Sequence, residues 1–123
     1  MTQPLALVFY ERLMPGSQLV NRLQDLHYRV VTLNNPAQLA ATARREMPLL
    51  VIVDLESPGD IVGQIAKIKT DTDITHLPVI AFAPDTAAAK LEAAREAGAG
   101  VTVTESALGN HLQQLLEQAL HID

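Results

Sequence analysis

The sequence holds no cysteine and no tryptophan, and only two tyrosines and two phenylalanines. The missing thiols exclude disulfides, thiolate-held metals, iron–sulfur clusters and a cysteine nucleophile, although they do not fix the compartment. So few aromatics leave little surface on which single-stranded bases could stack. Cations are scarce as well: nine Lys plus Arg face fourteen Asp plus Glu, a formal net charge of -5. That balance lacks the basic footprint of sequence-independent nucleic-acid binding. No apolar run approaches the roughly 18 residues needed to cross a bilayer. Met1–Pro4 has neither the basic start nor the small-residue cleavage site of a signal peptide. The expectations are no nucleic acid, no membrane, and a soluble chain in the cytoplasm.

What is present is an ordinary globular composition: 123 residues, 48% hydrophobic and 19% charged. Disorder and coiled coil are excluded, and the length suits one domain over residues 1–123. Short runs rich in branched residues predict five strands, at Leu5–Phe9, Arg29–Leu33, Leu49–Val53, Val79–Phe82 and Val101–Val103. Between and after them, apolar residues recur at helical spacing. The sets are Leu19, Val20, Leu23 and Leu26, then Leu39, Ala40, Ala43 and Met47, then Ile61, Val62, Ile65 and Ile68. A fourth set is Ala87, Leu91, Ala94 and Ala97, and a fifth runs through Leu108, Leu112, Leu115, Leu116 and Ala119.

Local punctuation supports these boundaries. Asn35, Pro36 and Gln38 supply an N-cap, a first-turn proline and a reciprocal capping side chain. Asp85 and Ser106 are expected to cap the fourth and fifth helices, and Gly98 to end the fourth in a left-handed conformation. Five strands alternating with five helices imply an α/β doubly wound parallel sheet with helices on both faces. Leu49–Val53 has no polar alternation and is expected at the centre, whereas Val101–Thr104 alternates and is expected at an edge.

Ligands of open parallel sheets bind beyond the carboxyl ends of the strands. That rule collects Tyr10, Glu11 and Arg12, then Asp54 and Glu56, then Ala83 and Pro84, then Thr104, Glu105 and Ser106. The collection reads as acidic. An Asp directly after a buried strand needs solvent, a cation or hydrogen-bond donors to offset its desolvation. It reads equally as a solvated loop acid or a helix-cap partner. His27, His76, His111 and His121 show no metal-ligand spacing, and Gly59 and Gly63 flank Asp60 without a dinucleotide fingerprint.

The run Val51, Ile52, Val53, Asp54, Leu55, Glu56, Ser57, Pro58, Gly59 resembles the phosphoacceptor strand and loop of response-regulator receiver domains. His27–Tyr28, Leu77–Pro78 and Glu96–Ala99 match further family positions, so the resemblance spans the chain. It implies the CheY-like, flavodoxin-like strand order 2-1-3-4-5 and a place in bacterial two-component phosphorelay signalling. Asp54 then stands at the phosphoacceptor position. The family's paired acids after the first strand match Tyr10 and Glu11, so one acid is left. Its switch hydroxyl matches Ala83, its lysine after the fifth strand matches Glu105, and its switch aromatic matches Thr102.

Those departures remove positive charge from a reaction that depends on it. At about 5 Å and an effective dielectric near 20, one charge pair is worth roughly 3 kcal/mol, and exchanging Lys for Glu shifts the balance by about twice that. Glu11, Asp54 and Glu56, with Glu105 nearby, are candidate oxygen ligands for magnesium or calcium, although no cofactor is required. The resemblance also implies an output or dimer face on the fourth helix, fifth strand and fifth helix, with Lys90, Arg95, Thr102 and Gln113 on it. The alanine-rich fourth helix suits close helix approach, and equally reflects plain helix propensity.

The leading expectation is a stand-alone pseudo-receiver that works by contact with a histidine kinase or an output protein, not as an enzyme. The alternative is a working phosphorelay receiver phosphorylated at Asp54 by a histidine kinase. A small metal-dependent hydrolase built on Asp54 and Glu56 is the outside reading.

Overall fold

The computed structural model describes residues 4–57 and 59–120. Met1–Gln3, Pro58 and His121–Asp123 lie outside the described residues, and with them the proline of the loop after Asp54 and one of the four histidines. Five parallel strands, β1 (Leu5–Phe9), β2 (Arg29–Leu33), β3 (Leu50–Asp54), β4 (Val79–Ala83) and β5 (Val101–Thr104), form one sheet in the order β2-β1-β3-β4-β5. The helices are α1 (Leu13–Asp25), α2 (Leu39–Glu46), α3 (Ile61–Thr70), α4 (Ala88–Ala97) and α5 (Glu105–Leu120), with a 3-10 turn at Pro36–Gln38 ahead of α2. The order is the one the receiver resemblance implies, and the central β3 and the edge position of β5 are those the patterning predicts.

Alternation along the strands divides the core into two layers. Leu7, Phe9, Val51, Val53, Val79, Ala81 and Ala83 face α2, α3 and α4, where Leu39, Ala43, Ile61, Ile65, Ile68 and Ala94 cover them. Ala6, Val8, Leu50, Ile52, Ile80, Phe82 and Val101 face α1 and α5, beneath Leu19, Leu23, Leu108, Leu112, Leu116 and Ala119. β3 is buried along its whole length because helices cover both of its faces.

Four local expectations change. β3 begins one residue later than predicted: Leu49 is 42% exposed, and the strand instead takes in Asp54, which pairs in register with Phe82. Met47 does not extend the apolar face of α2. It is the exposed residue that ends the helix, in a left-handed conformation (φ 47°). Asp85 and Ser106 cap neither helix: the Ser106 hydroxyl donates to the Asp85 carboxylate at 2.9 Å, which occupies both. Ala87 precedes α4 without a side-chain cap, and Thr104 serves α5, its Oγ1 accepting from the Ala107 N–H at 3.2 Å. Asn35 does cap as predicted, accepting from the Ala37 N–H, and Gly98 ends α4 at φ 117°.

Two groups far from the carboxyl ends of the strands titrate in opposition. Burial raises the pKa of the Tyr28 hydroxyl and lowers that of the Lys69 ammonium. For Tyr28 the fold keeps a proton that the unfolded chain releases, so its contribution is present below the unfolded value near 10 and is lost as pH rises through the folded one. For Lys69 the unfolded chain keeps the proton longer, so stability rises with pH until the unfolded value near 10.4 is passed. Tyr28→Phe is expected to remove the loss of stability above about pH 10 and to leave the rising component below about pH 10.4, read by urea unfolding at stepped pH. An unchanged alkaline profile in that variant would contradict the assignment.

Candidate functional site

The carboxyl ends of β1, β3, β4 and β5 bring the expected residues to one end of the sheet. Asp54, the last residue of β3, is fully buried, yet each of its oxygens accepts two hydrogen bonds. Oδ1 accepts from Arg12 Nη2 at 2.7 Å and from the Glu56 N–H at 3.0 Å. Oδ2 accepts from Arg12 Nε at 2.8 Å and from the Ser57 hydroxyl at 3.0 Å. Arg12 Nη2 also bonds Glu105 Oε1, so one guanidinium holds carboxylates from β3 and from the start of α5. Ser57 Oγ accepts from the Glu11 N–H at 2.9 Å, which fastens the loop after β1 to the loop after β3.

This geometry replaces the expected cation-poor cluster. Arg12 lies between two acids, with its side chain 29% exposed against 0% for Asp54. Its pKa is pushed further up, chiefly by the hydrogen bond to Asp54, against the opposing cost of burial and with help from Glu105. The planar fork meets the Asp54 carboxylate through two nitrogens, the arrangement in which Arg outperforms Lys. The Glu105 that stands where the resemblance implies lysine is thus neutralised by Arg12 at the start of α1, not left to repel Asp54.

The remaining predicted positions are structural or divided among other partners. The half-buried Tyr10 packs on the α1–α5 layer with its ring against Gly16, where an added Cβ would collide with it. Ala83 is fully buried in the other layer, and Thr102 is half-buried on β5 opposite Ala81. Glu11 is exposed, while the Glu56 carboxylate pairs with Lys90 of α4 at 2.9 Å. The acids Glu11, Asp54 and Glu56 therefore do not converge. Among the described residues no group of three or more His, Cys, Asp or Glu is arranged to hold a metal ion. Both Asp54 oxygens already face a guanidinium, so these residues do not fit a divalent cation as arranged.

Arg12 is the residue that sequence reasoning passed over. It belongs to the group collected after the first strand, and it is the one cation in that whole group. A single arginine among acids at the mouth of a parallel sheet was the available signal.

No protein-family model matches the chain, and no curated protein matches it by sequence. Solved structures do match in three dimensions. A response regulator described as putative from Chloroflexus aurantiacus superposes with a TM-score of 0.89 at 16% identity, covering 98% of this chain and 100% of that one. The receiver domain of a sensor histidine kinase from Pseudomonas aeruginosa, with magnesium coordinated in its active-site cleft, gives 0.87 at 18% identity over 98% and 100%. A chemotaxis response regulator of Vibrio cholerae gives 0.83 at 18% identity over 97% and 100%. No described helix is long and apolar enough to cross a membrane. With its sheet order, helix placement and these neighbours, the chain has the CheY-like, flavodoxin-like receiver fold of two-component response regulators.

Proposed function

We propose that this protein is a cytoplasmic pseudo-receiver: a two-component signalling module that acts by protein–protein contact, with phosphorylation at Asp54 impaired. The observation that carries the reading is the Arg12 fork on Asp54. A phosphoacceptor must offer a carboxylate oxygen as nucleophile and must have cationic charge left over for the incoming phosphoryl oxygens. Here both oxygens are engaged, and the guanidinium that engages them is shared with Glu105. Arg12 thus holds the place a divalent cation would take, and magnesium could enter only by displacing three charge-assisted hydrogen bonds.

The neighbouring positions support the same reading. Ala83 has no hydroxyl to follow a phosphoryl group inward, and Thr102 has no ring to reorient. The partner is a histidine kinase or an output protein, docking on the face of α4, β5 and α5. Two of that face's cations are already paired within the chain, Lys90 with Glu56 and Arg95 with Glu92. Recognition there rests on shape and on the exposed polar side chains of α5 more than on free positive charge.

The test is intact-mass spectrometry and amide NMR of the full chain with magnesium and a small phosphodonor, beside a beryllofluoride titration and an Asp54→Ala control. No adduct and no Asp54-dependent shift are expected. A stoichiometric adduct that disappears in Asp54→Ala would replace this proposal with a working phosphorelay receiver. Steady release of phosphate would point to hydrolysis instead.

A further inference from the structure

α5 is not one continuous helix. His111 adopts φ -132° and ψ 30°, so Glu105–Asn110 forms a separate helical segment ahead of it. Gly109 and Asn110, both poor helix formers, stand immediately before the break. The two parts of α5 are held differently. Beyond His111, Leu112, Leu116 and Ala119 are buried in the core, whereas before it Leu108 is the segment's buried side chain. The first segment depends instead on polar ties. Glu105 is bonded to Arg12, Ser106 to Asp85, and the Gly109 carbonyl accepts from the Arg22 guanidinium.

We infer that the charge on Asp54 sets the position of the Glu105–Asn110 segment, with Arg12 as the coupling and His111 as the hinge. The inference rests on the reading of Arg12 as the group that fills the site at Asp54, and it deepens that reading by naming the element that this contact holds. The charge of the fully buried Asp54 carboxylate fixes the guanidinium through the two bonds that Arg12 donates to it, and Nη2 is thereby presented to Glu105 in one place. When that charge is lost, Arg12 loses its anchor. What is left is an Arg12–Glu105 pair whose side chains are 29% and 28% exposed, a class of ion pair that contributes little on its own. The start of α5 is then free to shift, while the part beyond His111 stays seated on the core.

The route from β3 to α5 is therefore ionic and needs neither a hydroxyl at Ala83 nor a ring at Thr102. It is also reciprocal. A partner that grips the Glu105–Asn110 segment alters the hold of Arg12 on Asp54 by the same coupling free energy. Arg12 is a positioning residue in this arrangement, acting on the segment through Glu105.

The test uses the 15N-labelled full chain, with amide shifts and hydrogen exchange recorded for wild type, Asp54→Asn, Glu105→Gln and the double variant. Asparagine keeps the shape of the side chain and removes its charge. Asp54→Asn is expected to shift the amides of Ser106 to Asn110 and to speed exchange at Leu108 to Asn110 by about fivefold. The amides from Leu112 to Leu120 are expected to stay unchanged. In the Glu105→Gln background the same replacement should no longer reach the segment. Arg12→Lys, which keeps a cation but loses the fork, gives a second route and should loosen the same amides.

Changes confined to the neighbours of Asp54, or an equal response in the double variant, would overturn the inference. The phosphodonor experiment reads covalent chemistry on wild type, and this one reads removal of charge. An adduct there with movement here would sink only the pseudo-receiver reading, and the converse pattern would sink only the coupling.

Discussion

Replacing Arg12 by alanine is expected to lower the free energy of unfolding by about 3 kcal/mol at neutral pH. The guanidinium supplies two of the four hydrogen bonds on the Asp54 carboxylate, and all of the formal positive charge among them. Without it, Ser57 and the Glu56 N–H are left to hold a buried anion beside a second anion, Glu105. The low end of the cost for breaking a buried ion pair is appropriate because Arg12 is partly open to water. Adding Asp54→Asn to Arg12→Ala is expected to recover most of the loss, and the double-mutant cycle isolates the coupling between the two side chains. Urea unfolding of the four proteins reads it directly. A loss under about 0.5 kcal/mol for Arg12→Ala, the range of ordinary surface substitutions, would mean that water substitutes for the guanidinium.

Phe82→Ala is expected to cost more, about 4 kcal/mol. Phe82 is fully buried on β4 and lies in register between Asp54 on β3 and Val103 on β5. Its layer is the one closed by Leu108 and Leu112 of α5, so truncation leaves a void between the sheet and that helix. A rigid sheet on one side limits collapse, which puts the site toward the expensive end of large-to-small changes. The Phe82 carbonyl also accepts from the Leu55 N–H at 2.9 Å, fixing the backbone just after Asp54. That bond survives in the variant, so the cost is one of packing. Phe82→Leu, which refills most of the space, should lose less than half as much. Equal losses for the two variants, or a loss below about 1 kcal/mol for alanine, would contradict this account of the layer.

The architecture was legible because its causes are local. Strand runs, helical spacing and the unbroken apolar stretch ending at Asp54 fixed five strands, five helices and the central place of β3. Asn35 and Gly98 were legible for the same reason, since each acts on its own backbone. The failures over capping and over the charge of the site are long-range. Asp85 and Ser106 have the residue types of helix caps, yet each prefers the other across 21 positions of sequence. Leu49 and Met47 look like core residues, but the turn between α2 and β3 places both outside it. In the same way the charge of the site was misjudged. Arg12 meets its two acids across 42 and 93 positions, and spacing along the chain carries no sign of such a pairing.

That separation has a kinetic side. A cluster whose members are so distant along the chain closes only after β1, β3 and the start of α5 have come together, because the entropy of loop closure must be met first. Its bonds belong to the finished molecule and are expected to form after the transition state for folding. Their loss is then expected to fall on the unfolding limb of a chevron plot, with the folding limb hardly moved. The ionic tie among Arg12, Asp54 and Glu105 thus acts as a latch: it does not hasten the closing of the fold, but it sets how long the fold stays closed.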